Sequence, residues 1–130
     1  MPRKLFINVR TQDVARAAAF YPAIGFELVE EFSNERAACV AVTDTIYVMA
    51  LAEDFFAESV ANGVSTSGTE AVLAITVDSR DEVDALADRA LAAGAEKAKD
   101  PFDEGFMYGR SFLDPDGHHW ELVWMDPDAA

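Results

Sequence analysis

Residues 4–26 read KLFINVRTQDVARAAAFYPAIGF, and this stretch decides the fold because it carries two periodicities in sequence. KLFINV is short and rich in β-branched and aromatic residues, the pattern of a strand. Thr11 follows as the expected N-cap of an alanine-rich run. In that run Val14, Ala17, Ala18, Tyr21 and Ile24 recur at three- and four-residue steps, which gives a helix one apolar stripe to lay on a sheet. Pro22 falls late in the run and Gly25 closes it. Three strand-like runs come next, FELVEEF, AACVAVT and TIYVMALA, separated by SNER and TD. The first half, residues 1–52, therefore reads βαβββ.

The same order returns downstream. AVLAITV is a strand, and SRDEVDALADRALAAGA is a helix capped by Ser79, with Val83, Leu86, Ala87, Ala90 and Leu91 as its stripe and Gly94 as its stop. EKAKDPF, GFMYGRSFL and HHWELVW supply three more strands. Residues 53–69 join the halves through a short amphipathic piece and a Ser, Thr and Gly-rich stretch. Residues 70–130 form the second copy. The fold class expected is α+β, two βαβββ units building an open, curved mixed sheet around a concave cleft. Unpaired edges in such a layout point to a homodimer.

Composition narrows the partners. The chain has 130 residues, 51% of them hydrophobic, enough for one core of ordinary size. Its formal net charge of -14 repels phosphate backbones, so nucleic acid is set aside, and a cationic small molecule is the partner such a field would attract. No run approaches the roughly 18 apolar residues of a membrane span, and MPRKLFINVR lacks the marks of a secretory signal. A cytoplasmic protein is expected. The single cysteine, Cys39, lies in AACVAV and reads as a buried small hydrophobe.

FLDPDGHHWELVW near the C-terminus resembles the closing hairpin of the vicinal oxygen chelate superfamily, the glyoxalase, bleomycin-resistance and extradiol-dioxygenase clan. DVARAAAFYPAIGFELVE resembles that family's first helix and its exit into the second strand. GFMYGRSFLDPDGHHWE is similar to a PhnB-like subgroup of glyoxalase-like proteins. The resemblance implies a ligand cleft and, in many members, one divalent ion held by the first and last strands of each unit. Glu121 matches the last of those ligands. The other three positions fall on Val48, near Val72, and on Phe6 with Asn8 as the nearest polar neighbour on its face. One carboxylate does not hold a catalytic ion, so no metal ligands are assigned and no cofactor is expected; Fe, Mn, Ni or Zn is the alternative. His118 and His119 are adjacent, face opposite sides of a strand, and are given surface or hairpin-packing roles.

What remains is a set of candidate ligand-binding residues: Phe6, Asn8, Tyr108, Arg110, Ser111 and Glu121. Two registers of the hairpin are open. If DPDG closes a two-residue loop, Arg110 faces Glu121 as an ion pair; if Gly117 forms a bulge, Phe112 meets Trp120 and Glu121 faces Ser111. The leading expectation is a metal-independent small-molecule binding protein. The alternative is a lyase, isomerase or dioxygenase of the same superfamily, with Glu121 as general base or residual metal ligand.

Overall fold

The structure, a computed structural model, describes residues 2–129, and the chain divides into two compact units, Met1–Gly68 and Thr69–Ala130. The first runs β1 (Leu5–Thr11), α1 (Val14–Ala23), β2 (Glu27–Leu28), a 3-10 turn (Glu30–Phe32), β3 (Ala37–Ala41), β4 (Ile46–Ala52) and α2 (Glu53–Ser59). Its sheet has the order β1-β4-β3-β2, with β1 parallel to β4 and the other pairs antiparallel. The second runs β5 (Val72–Thr76), α3 (Arg80–Ala92), β6 (Glu96–Lys97), β7 (Phe102–Asp103), β8 (Met107–Leu113) and β9 (His119–Met125). Its sheet has the order β5-β9-β8-β6, β7 also pairing with β8. Both sheets are mixed and open, so the α+β duplication is the architecture of the chain. No helix among the described residues is long and apolar enough to cross a membrane.

Several boundaries differ from the sequence expectation for identifiable reasons. Thr11 does not cap α1: it is buried at the end of β1, where its hydroxyl accepts the Asp13 amide. The cap is the Asp13 carboxylate, which accepts the Arg16 amide at 3.0 Å. FELVEEF does not stay extended; β2 keeps only Glu27 and Leu28 before the chain coils through Glu30–Phe32. EKAKDPF splits into β6 and β7, because Ser111 takes the intervening backbone: its Oγ accepts the Lys99 amide at 3.0 Å and its carbonyl accepts the Ala98 amide. Residues 53–59 are helical and tied to the first unit, Glu53 to Arg10 and Glu58 to Arg36.

The helices bury the faces their patterns require. In α1, Ala17, Phe20 and Tyr21 are buried, Phe20 taking the inward place that Ala18 was expected to hold. Gly25 at φ 103° lets the chain leave the helix, a conformation other residues reach only at cost. In α3, Val83, Ala87 and Ala90 are buried against β8 and β9, while Leu91 is 39% exposed and lies off that stripe. Ser79 caps α3 by accepting the Glu82 amide, and Glu82 returns the bond by accepting the Asp78 amide. Cys39 is fully buried, and burial pushes its thiol pKa up, which fits the packing role expected of it.

Candidate functional site

The closing hairpin of the second unit sets every other position in the site. Asp114 is 4% exposed, and one of its carboxylate oxygens accepts the amides of Asp116 and His118 at 3.0 and 2.9 Å. The other oxygen accepts the Trp120 indole N–H at 3.1 Å. Gly117 donates its amide to the Asp114 carbonyl and takes φ 85°, so a type I turn is followed by a left-handed residue. That extra residue selects the bulged register: Phe112 pairs with Trp120, Ser111 with Glu121, Arg110 with Leu122 and Tyr108 with Trp124.

Paired strand residues share a face and successive ones alternate, so the register sorts β8 and β9 into two faces. Tyr108, Arg110, Phe112, Trp120, Leu122 and Trp124 face α3. Gly109, Ser111, His119, Glu121 and Val123 face the other way, joined from β5 by Val72 opposite His119 and Ala74 opposite Glu121. Arg110 and Tyr108 are thereby separated from Glu121 by the thickness of the sheet. The arrangement places Ser111 with Glu121, and it adds His119.

On the helix face the polar groups satisfy one another. The Tyr108 hydroxyl donates to Asp84 at 2.6 Å, and Arg110 donates to Asp84 and Asp88, each at 3.1 Å. The bond from Tyr108 and the Arg110 guanidinium hold the Asp84 carboxyl below its usual range, and the same bond pushes the tyrosine up. Arg80 grips Asp103 through two bonds of 2.8 and 2.9 Å and donates to the Gly105 carbonyl. Its guanidinium also lies over the rings of Tyr108 and Trp124. These contacts anchor α3 to the sheet and leave Tyr108 and Arg110 committed to that task.

On the other face one polar atom is left over. His119 Nε2 is buried and has no hydrogen-bond partner among the described residues; it lies 3.9 Å from the Glu121 Oε2 atom. The two side chains are 12% and 27% exposed. Sequence reading gave His119 a surface or packing role, yet its i,i+2 spacing from Glu121 was the available signal, since residues two apart in a strand share a face. At the far end of this face the Phe102 ring lies over Gly109: a Cβ there would come within 2.3 Å of the ring carbons. The face is thus bounded by Phe102, floored by Ala74, Val72 and Val123, and carries polar side chains at Ser111, Thr76, His119 and Glu121.

In the first unit, Phe6 stacks on Tyr47 with ring centroids 4.6 Å apart, and the exposed Asn8 amide donates to the Phe6 carbonyl at 3.2 Å. Phe6 and Asn8 share their face with Tyr47 and Met49. Val48 pairs with Ile7 and belongs to the opposite face. Val48, the position matched to a ligand of the first unit, is therefore fully buried on the face away from Phe6 and Asn8, and it carries no donor atom. In the second unit a metal would find Glu121 and His119, two donors from one strand. No group of three or more His, Cys, Asp and Glu is placed to hold an ion among the described residues. A divalent catalytic ion usually takes about three protein ligands, so this donor set does not fit one.

The sequence model of the Glyoxalase/Bleomycin resistance protein/Dioxygenase superfamily matches residues 5–122. Among solved structures, a glyoxalase/bleomycin resistance protein/dioxygenase family enzyme from Burkholderia phytofirmans PsJN is 27% identical, with a TM-score of 0.80 over 92% of this chain and 96% of that one. Hypothetical protein SA1046 from S. aureus is 24% identical, TM-score 0.81, covering 95% of this chain and 94% of its own. A glyoxalase-related enzyme from Fulvimarina pelagi is 23% identical, TM-score 0.81, with 95% and 88% covered. No curated protein sequence matches.

Proposed function

The chain belongs to the glyoxalase/bleomycin resistance protein/dioxygenase superfamily, and from that premise we propose that it binds a small organic molecule on the open face of its second half without using a metal ion. The observation that carries this reading is the buried His119 Nε2 beside the Glu121 carboxylate. A buried polar atom left unbonded costs about 1–3 kcal/mol, and proteins seldom keep such atoms where no partner arrives. The surrounding Val72, Ala74 and Val123 suit the apolar body of a ligand, and Ser111 adds a hydroxyl across the strand pair. The net charge of -14 favours neutral or cationic compounds over anions. The same reading has the protein working in the cytoplasm as a homodimer.

A thermal-shift screen of neutral and cationic metabolites and antibiotics, run with and without chelator, tests it. Stabilisation that survives the chelator and is weakened by Glu121→Ala supports metal-free binding. Stabilisation by divalent metals alone contradicts it.

The adjacency of His119 and Glu121 also favours a second reading, a lyase or isomerase in which Glu121 takes a proton from bound substrate. Turnover of a compound found in the screen, abolished by Glu121→Gln with binding retained, would establish that reading over simple sequestration.

A further inference from the structure

We infer that Asn62 is a site of spontaneous covalent modification, where the Gly63 backbone nitrogen closes on the Asn62 side chain and converts it to aspartate and isoaspartate.

The chain has three asparagines, and two of them are held. The Asn8 side-chain amide donates to the Phe6 carbonyl, and the β-branched Val9 follows it within β1. The Asn34 Oδ1 atom accepts the Arg36 amide at 2.8 Å, and the Asn34 backbone is bridged to Ala37. Asn62 differs in each respect. It is exposed in the irregular stretch between α2 and β5, and neither its side chain nor the Gly63 amide has a hydrogen-bond partner among the described residues. Gly63 adds no side chain, and a Cβ built there would meet nothing within 4 Å, so the nitrogen stands in open space. Asp116 and Gly117 could close the same ring, but there the turn prevents it. The Gly117 amide donates to the Asp114 carbonyl at 2.8 Å, and the Asp116 amide donates to the Asp114 carboxylate at 3.0 Å.

The reaction needs only water. The Gly63 nitrogen gives up its proton to solvent and attacks Asn62 Cγ; the new C–N bond closes a succinimide ring, and the bond from Cγ to the side-chain nitrogen breaks, releasing ammonia. Water then adds at either ring carbonyl. Addition at Cγ breaks the new bond and leaves aspartate, whereas addition at the main-chain carbonyl breaks the original peptide bond and leaves isoaspartate. Either product puts a carboxylate where a neutral amide stood, making the formal net charge of -14 more negative by one.

The intact chain is aged at neutral and at mildly alkaline pH beside a synthetic peptide of residues 59–68, and peptides holding residues 62 and 116 are separated into their aspartate and isoaspartate forms by chromatography and mass. The chain should convert at a rate within about threefold of the peptide, since no local unfolding is needed first. Conversion should be faster at the higher pH and should give both products at residue 62, with residue 116 left as aspartate. Gly63→Val, whose β-branched side chain crowds the nitrogen, should slow it about tenfold or more. This variant keeps the parent fold, because Gly63 is not in the left-handed region and its surroundings are open. Retention of Asn62 in the chain while the peptide converts would overturn the inference, and so would aspartate as the sole product. Isoaspartate forming as fast at residue 116 as at residue 62 would overturn it too, because the free Gly63 amide would then not be what decides.

Discussion

The Asp114 carboxylate accepts the Trp120 indole N–H at 3.1 Å across the closing turn, and this bond ties the turn to the register of β8 and β9. Asp114 also accepts two turn amides, so its removal orphans three donors, one of them on a side chain 1% exposed. Asp114→Ala should cost about 2–4 kcal/mol of stability, with Asp114→Asn costing less because it keeps one acceptor oxygen. Urea unfolding followed by tryptophan fluorescence measures both. A loss below about 0.5 kcal/mol for the alanine variant would remove Asp114 from this role.

The Arg80 grip on Asp103 is a prediction in pH. Its hydrogen bonds, with help from the Gly105 amide, hold the Asp103 carboxyl down to about 2. Because the folded-state value is depressed, whatever the pair contributes is complete above the ordinary carboxylate range and is lost as pH falls from there through about 2. Carbon-detected titration of Asp103 should give a midpoint near 2, and Arg80→Gln should return it towards the ordinary range. An unchanged midpoint in the variant would mean the guanidinium is not the cause.

Gly109 is needed for space. Its position beneath Phe102 leaves no room for a methyl group, and the Leu122 carbonyl stands 3.1 Å from where a Cβ would sit. Gly109→Ala should destabilise by about 1–3 kcal/mol through overpacking. Combining it with Phe102→Ala should cost less than the sum of the two single changes, since the clashing ring is gone. Strict additivity would show that the ring is not what the methyl group meets.

Arg110 should matter for stability and not for ligand. Its two aspartate partners are on α3, on the face turned away from Glu121. Arg110→Met should lower stability by about 0.5–1 kcal/mol, solvent screening at the two exposed carboxylates keeping the loss small, since Asp84 and Asp88 are left without their cation. Affinity for any compound bound near Glu121 should change less than twofold. A loss of tenfold or more would put the guanidinium in the binding site after all.

The duplication was legible in the sequence because Gly25 and Gly94 end two helices of matching stripe, and such punctuation survives when residue identity does not. The hairpin register was not, since DPDG is compatible with either loop. What selects between them is the Asp114 side chain reaching Trp120, a contact six residues long that no periodicity reports. Arg110 and Tyr108 misled for a related reason. Their aspartate partners, Asp84 and Asp88, lie 20 or more residues upstream on the exposed side of a helical pattern, where acidic residues read as solvated. Asp13 and Thr11 were near enough to exchange roles, both being good caps, and only the end of β1 decides. His119 was discounted because two adjacent histidines cannot share a face; one of them still had to share it with Glu121.

The metal content of the chain, purified without chelator and without added metal, tests the central claim most directly. Elemental analysis should find Fe, Mn, Ni, Cu and Zn together well below one atom per chain, with ligand-induced stabilisation unchanged by chelation. A stoichiometric transition metal that disappears in both Glu121→Ala and His119→Ala would contradict the account, because it would make that pair a metal site rather than part of a metal-free binding face.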